Sequence, residues 1–189
     1  QLELGGKDPA YVCEDADAKA AAASLADGAM YNGGQSCCAV ERVYVHAKIA
    51  APFIEAFVEA VKGFPIGDPL APGTLCGPLI DGDAVAMFRR AIDDIRKQGG
   101  EVLCGGRVLD RPGFYVEPAI VRAPSHARFP IAWEETFAPI LYVFPVDSLE
   151  EAIAANNAVA QGLSSAIFTD SVRAAEAFLS PMGSDCGIA

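Results

Sequence analysis

Arg42-Val43-Tyr44-Val45-His46 runs directly into Ala47-Lys48-Ile49-Ala50-Ala51-Pro52-Phe53-Ile54-Glu55-Ala56-Phe57-Val58-Glu59-Ala60-Val61-Lys62, and the pattern changes at residue 47. The first five residues are β-branched and aromatic, the composition of a strand. In the second run Phe53, Phe57 and Val61 recur at i, i+4 and i+8 with Ile54 and Val58 beside them, the stripe of an amphipathic helix. A strand that feeds a helix is half of a βαβ unit, so the neighbouring segments decide whether the unit repeats.

It does, on both sides. Upstream, Gly5-Gly6-Lys7-Asp8-Pro9 reads as a turn and Ala10-Tyr11-Val12 as a short strand. Asp15 to Tyr31 is an Ala-rich helix, with Asp15 or Asp17 as its N-cap, closed by Asn32-Gly33-Gly34. Downstream, a loop through Gly67-Asp68-Pro69 and Pro72-Gly73 leads to a helix over Gly82–Lys97, with Val85, Phe88, Ile92 and Ile95 on one side. Val102–Cys104 is a strand, and Tyr115-Val116 and Ile120-Val121 are short extended pieces. Ile140–Val146, almost wholly apolar between prolines 139 and 145, has the composition of a buried strand. Helices at Leu149–Asn156 and Val172–Leu179 flank a strand at Ser165–Phe168, and Asp185–Ala189 begins a further element. The alternation predicts an α/β fold with no linker dividing it.

Composition excludes several functions. The 189 residues carry 14 basic and 25 acidic side chains, a net charge of −11. Nucleic-acid and anionic-membrane partners are therefore not expected, since both need clustered Lys and Arg. No apolar run reaches the roughly 20 residues of a spanning helix. The start, Gln1-Leu2-Glu3-Leu4, carries neither an initiator Met nor a signal peptide, and the expectation is a piece of a longer chain. Of the six cysteines at 13, 37, 38, 76, 104 and 186, no two form C-x-x-C, and His46 and His126 are far apart in sequence. The expectation is reduced thiols in the cytoplasm, mostly buried as small hydrophobes, with no metal site.

General-purpose motifs fail. There is no G-x-x-x-x-G-K-[ST], no G-x-G-x-x-G and no G-x-S-x-G. The unusual segment is Gly33-Gly34-Gln35-Ser36-Cys37-Cys38-Ala39, a sharp passage from helix end to strand where a thiol can be presented to an electrophile. It has company. Leu2-Glu3-Leu4-Gly5-Gly6-Lys7 lies 34 residues ahead, measured from Glu3 to Cys37; Glu135-Thr136-Phe137-Ala138-Pro139 precedes the buried strand; and Asn156-Asn157 is followed by Gln161-Gly162-Leu163. In order and spacing these stretches resemble the signatures of the NAD(P)-dependent aldehyde dehydrogenase superfamily: L-E-L-G-G-K, G-Q-x-C, E-x-F-[GA]-P and N-x-x-x-x-G-L. The segments 135–144 and 183–188 look like its antiquitin (aminoadipate-semialdehyde dehydrogenase) branch. Ser36 stands where that branch usually carries Arg, and Met30 where the family is often aromatic.

The resemblance implies a Rossmann-like, three-layer catalytic domain with a mostly parallel sheet over residues 1–189. It also implies that the family's cofactor-binding domain and C-terminal segment lie outside this chain. By the same resemblance Cys37 is the nucleophile, forming a thiohemiacetal and then a thioester. Glu3 is the general base that activates water, and Glu135 and Phe137 contact the nicotinamide end of NAD or NADP. The implied partners are a small aldehyde, the chain's own cofactor domain and, at full length, further copies of itself. Read without the family, Glu3 is a strand-end carboxylate, Glu134 a solvated charge, Lys7 a turn lysine with a surface salt bridge, and Cys38 a packing residue facing away from Cys37. Two other functions compete: a catalytically silent assembly module, which has no use for both Glu3 and Cys37, and a CoA-acylating relative, a type that commonly lacks the glutamate.

Overall fold

The computed structural model describes residues 4–189. Six strands form one sheet: β1 (Asp8–Val12), β2 (Val40–His46), β3 (Glu101–Cys104), β4 (Ala119–Arg122), β5 (Ile140–Val146) and β6 (Ala166–Phe168), in the order β3-β4-β5-β2-β1-β6. Every neighbouring pair is parallel except β3 with β4. β1 starts two residues earlier than its apolar run suggests. Asp8 and Pro9 belong to the strand and not to a turn, and Pro9 falls just before the register with β6 begins at Ala10, an opening position in which strands accept proline.

Alternation along the strands divides the core into two layers. Ala10, Val12, Val43, Val45, Leu141 and Val143 face one side and pack on α1 (Ala18–Met30) and α2 (Ala50–Lys62). Tyr11, Tyr44, Tyr142 and Phe144 face the other and pack with α3 (Gly82–Lys97), α4 (Leu149–Asn156) and α5 (Val172–Leu179). Small and aliphatic strand residues meet the Ala-rich α1, while the aromatic face meets the larger Phe88, Ile92 and Ile95 of α3. Burying each such side chain contributes about 1.5–3 kcal/mol. With both faces covered, the central strands are mostly apolar, and the charged residues at their starts, Asp8, Glu41 and Arg42, are buried too.

The helix ends are fixed locally. Asp17, not Asp15, caps α1, accepting from the amides of Lys19 and Ala20 at 2.9 and 3.0 Å. Asp15 instead accepts from the Thr169 hydroxyl and the Asp170 amide after β6. Asp81 and Ser148 cap α3 and α4 at 2.8 and 3.1 Å. At the far end of α4 the buried Arg42 guanidinium donates to the carbonyls of Ala155 and Asn156 at 3.0 and 3.3 Å, a cation on the negative end of a helix. Asn156 and Asn157 close that end: the Asn157 amide donates to the Gly183 carbonyl, and its oxygen accepts from the Asp185 amide. The expected final element is a short parallel bridge of Ile188 with Ser164.

Candidate active site

The four signature segments enter four adjacent strands from the same end. Gly5–Lys7 leads into β1, Ser36–Ala39 into β2, Glu135–Ala138 into β5 and Gln161–Leu163 towards β6, and the contiguous order β5-β2-β1-β6 is parallel throughout. The site therefore lies at the amino ends of the strands. Open α/β sheets ordinarily bind ligands at the carboxyl ends. Segments far apart in sequence meet here because a parallel sheet aligns all its strand starts on one edge.

Two glycines let the segments touch. A Cβ on Gly6 would sit 1.8 Å from the Cys37 carbonyl oxygen, so the first signature packs directly under the backbone of Cys37. A Cβ on Gly34, whose φ is +70°, would sit 2.4 Å from the Ala138 carbonyl oxygen, joining the cysteine segment to the third signature. Between these contacts Ser36–Ala39 makes a tight turn, closed by the Ala39 amide on the Ser36 carbonyl at 3.0 Å. Cys37 and Cys38 occupy its two central positions. Both are exposed, with their sulfurs 3.9 Å apart.

That arrangement corrects the reading of the cysteines. Cys38 is not a packing residue turned away from Cys37; a tight turn displays both central side chains. Only Cys13 and Cys76 are buried, while Cys104 and Cys186 are partly so. Desolvation, and then the adjacent Cys37 sulfur, hold the Cys38 thiol above its ordinary pKa.

The third signature is tied to the first. The partly buried Glu135 carboxylate accepts from the Gly6 amide at 3.0 Å. Phe137 is exposed and has φ +50°, a left-handed conformation rare for an aromatic residue. Lys7 is not a surface turn residue either. It is fully buried in an ion pair with Glu41, because β1 and β2 run side by side and place the start of one against the start of the other. Burial pulls the Lys7 pKa down, and Glu41 opposes that pull. The Glu41 carboxylate also accepts from the amides of Thr136 and Phe137 at 3.1 Å. The sequence reading passed over Glu41, and its signal was an acidic residue, beside Arg42, at the head of a strand whose next three residues are Val43, Tyr44 and Val45. Glu134 is exposed. Glu3 lies outside the described residues.

Glu135 and Phe137 stand on the segment that packs against Gly34 and Gly6, the same glycines that hold the cysteine turn. Glu135 keeps acceptor capacity beyond the one bond to Gly6. A cavity of about 370 Å³, lined by Leu4, Gly5 and residues 160–163, adjoins the first and fourth signatures. A separate cavity of about 230 Å³ between α2 and β3, with Phe64, Cys104, Arg107 and Glu117 in its wall, receives no signature residue. Among the described residues no group of three metal-binding side chains occurs.

Comparison with known proteins agrees with this geometry. Residues 1–188 match the model of the aldehyde dehydrogenase family. Alpha-aminoadipic semialdehyde dehydrogenase of Mus musculus is 44% identical over 187 residues, covering 99% of this chain and 34% of the mouse protein. Among solved structures, lactaldehyde dehydrogenase from Escherichia coli superposes with a TM-score of 0.93 at 34% identity, over 99% of this chain and 39% of that one. An indole-3-acetaldehyde dehydrogenase complexed with NAD+ does so with the same score and identity, over 99% and 38%. The chain thus spans about a third of the length of the curated relatives it matches. Its fold, its four ordered signatures and its match along nearly every residue place it in one group: the chain belongs to the aldehyde dehydrogenase family.

Proposed function

We propose that this chain is the catalytic segment of an NAD(P)-dependent enzyme that oxidises an aldehyde to a carboxylic acid through a covalent intermediate on Cys37. The observation that carries the reading is the meeting of the four signatures on one sheet edge, with the Cys37 thiol exposed among them. The Cys37 thiolate adds to the aldehyde carbon to give a thiohemiacetal. The oxyanion needs a donor where charge develops, and the Cys37 amide, which meets no acceptor among the described residues, supplies one. NAD(P)+, when bound, would supply the hydride acceptor; Glu135 would hold the hydroxyls of its nicotinamide ribose and Phe137 would pack near its ring. A thioester remains on Cys37. Glu3 takes a proton from water, which attacks the thioester and releases the acid. A protein of the relatives' length holds the remainder of the dinucleotide in a separate domain, and that domain and further copies of the chain are its proposed partners.

The test uses Glu3→Gln, a neutral change of similar size, in the complete enzyme. A pre-steady-state burst of NAD(P)H should precede a slow steady rate, and mass spectrometry of the stalled enzyme should find the acyl group on the peptide containing Cys37. An unchanged steady rate removes Glu3 from the base role. An acyl group on any other residue removes Cys37 from the nucleophile role.

A further inference from the structure

Glu41 is an odd residue to find under a cofactor site. Its side chain and that of Lys7 are 3% and 0% exposed. Burying such a pair is weak evidence for stability, since well-packed apolar residues of the same volume often do as well. Apolar residues could not, however, accept hydrogen bonds. The Thr136 amide lies 3.1 Å from both Glu41 oxygens, and the Phe137 amide lies 3.1 Å from Oε1. Two successive N–H groups converge on one carboxylate only where the backbone turns, and the left-handed φ of +50° at Phe137 is that turn. This is the concave arrangement of amides that cradles anions, and here the anion is internal. Lys7 completes the enclosure: its ammonium pairs with Oε2, reaches the Thr136 hydroxyl at 3.5 Å and lies over the Tyr142 ring at 4.8 Å. A strained conformation at Phe137 persists only when its surroundings over-determine it, and the bond from its amide to Glu41 is one of the contacts that hold it.

We propose that Glu41, paired with Lys7, is a positioning residue for the cofactor: by fixing the amides of Thr136 and Phe137 it sets the Glu135 carboxylate and the Phe137 ring in the orientation that receives the nicotinamide riboside. The proposal rests on the reading of Glu135 and Phe137 as cofactor contacts. Without the carboxylate the turn relaxes towards an ordinary φ, and the two side chains that flank it lose their common aim. Cys37 stands on the adjacent strand start and is held by other contacts, those of Gly6 and Gly34.

The experiment compares Glu41→Gln, Glu41→Asp and Glu135→Gln in the complete enzyme. NAD+ and NADP+ affinity is read by calorimetry, the cofactor and aldehyde KM values by kinetics, and Cys37 accessibility by its rate of alkylation with iodoacetamide. Glutamine leaves one acceptor in place of two and turns an NH2 group towards other donors. Cofactor Kd and KM should rise about tenfold, the scale of one lost bond to a charged acceptor, while the aldehyde KM and the alkylation rate change less than twofold. Aspartate keeps the charge beside Lys7 but reaches fewer amides, so its effect should be smaller, about threefold. A uniform fall in every parameter in both Glu41 variants overturns the proposal, since that is what a merely structural role produces. Unchanged cofactor affinity in a folded Glu41 variant, with Glu135→Gln impaired, also overturns it and leaves the cofactor reading standing. Unchanged affinity in Glu135→Gln overturns the cofactor reading and this proposal with it. Should Glu41→Gln fail to fold, Glu41→Asp is judged by the same comparison.

Discussion

Cys37 and Cys38 share the centre of one turn, and exposure does not distinguish them. Their place in the string G-Q-x-C does, since it ends on Cys37. The nucleophile is the thiolate, and a thiol held above its ordinary pKa supplies less of it. Cys38 is raised by desolvation and by its neighbour, a direction that weighs against Cys38. Cys37→Ala should abolish aldehyde oxidation by the complete enzyme, and Cys38→Ala should keep most of it, as steady-state assays of the two variants would show. Equal losses would mean that the assignment is wrong. At this scale the sequence was only partly legible. Cys37, Glu135 and Phe137 stand in recognisable strings, so they could be named before any coordinates. Lys7 and Glu41 could not be paired, because their contact depends on the register of β1 against β2, and neither could Glu41 and the amides 95 and 96 residues further on. Cys38 was misread because a string of residues does not show which way a turn displays its side chains.

Elements with a strong period or a run of apolar residues were readable to the residue: Gly82–Lys97, Ile140–Val146, Leu149–Asn156 and Val172–Leu179 have the bounds their patterns suggest. The segment between β4 and β5 was not. It holds two short 3-10 turns, His126–Arg128 and Pro130–Trp133, too brief for a period to register. Tertiary packing defines it: the His126 ring stacks on Trp133 at 5.3 Å and meets Phe144 and Tyr44 edge-on at 5.4 and 5.7 Å. Its Nε2 is buried with no partner among the described residues. Desolvation by that aromatic surround, helped by the Arg42 charge, lowers the His126 pKa to about 4. The unfolded chain has an ordinary histidine near 6.5, so between those values the unfolded state binds the extra proton. The contribution of neutral His126 to stability is therefore complete above about pH 6.5 and is lost as pH falls towards 4. Chemical denaturation of wild type and His126→Phe across pH 4–8 should show a steeper acid decline in the wild type. Parallel curves would mean that folding leaves the His126 pKa unshifted. Asp8, raised by burial, titrates in both proteins and cancels in the difference.

Across the whole molecule, the unexpected feature is which end of the sheet carries the site. Each signature stands just ahead of a strand, and in a parallel sheet that alone puts all four on the amino edge. The clue was in the sequence, whereas the strand order that makes them neighbours was not, because it is set by which faces pack. The same edge exposes Leu4, Tyr31, Ile80 and Phe137, and Ile80 is bound there by the Gln35 side chain at 2.8 Å. Apolar side chains around a catalytic rim suit a surface that is covered in the working enzyme. The edge also has few means of holding a dinucleotide. Glu135 and Phe137 suit one riboside, but the sequence has no glycine-rich turn running into a helix N-terminus to cradle a pyrophosphate. Losing one oxyanion donor from such a site costs about a hundred- to a thousandfold in rate, and the Cys37 amide is the single donor proposed from this segment. The 189-residue chain by itself should therefore show no saturable NAD+ or NADP+ binding by calorimetry at sub-millimolar concentration and no useful aldehyde oxidation. Its exposed Cys37 should still react with iodoacetamide, which separates a lack of cofactor contacts from a collapsed site. Saturable cofactor binding by the isolated chain would locate the phosphate contacts within these residues and sink the division of labour proposed between this segment and the rest of the protein.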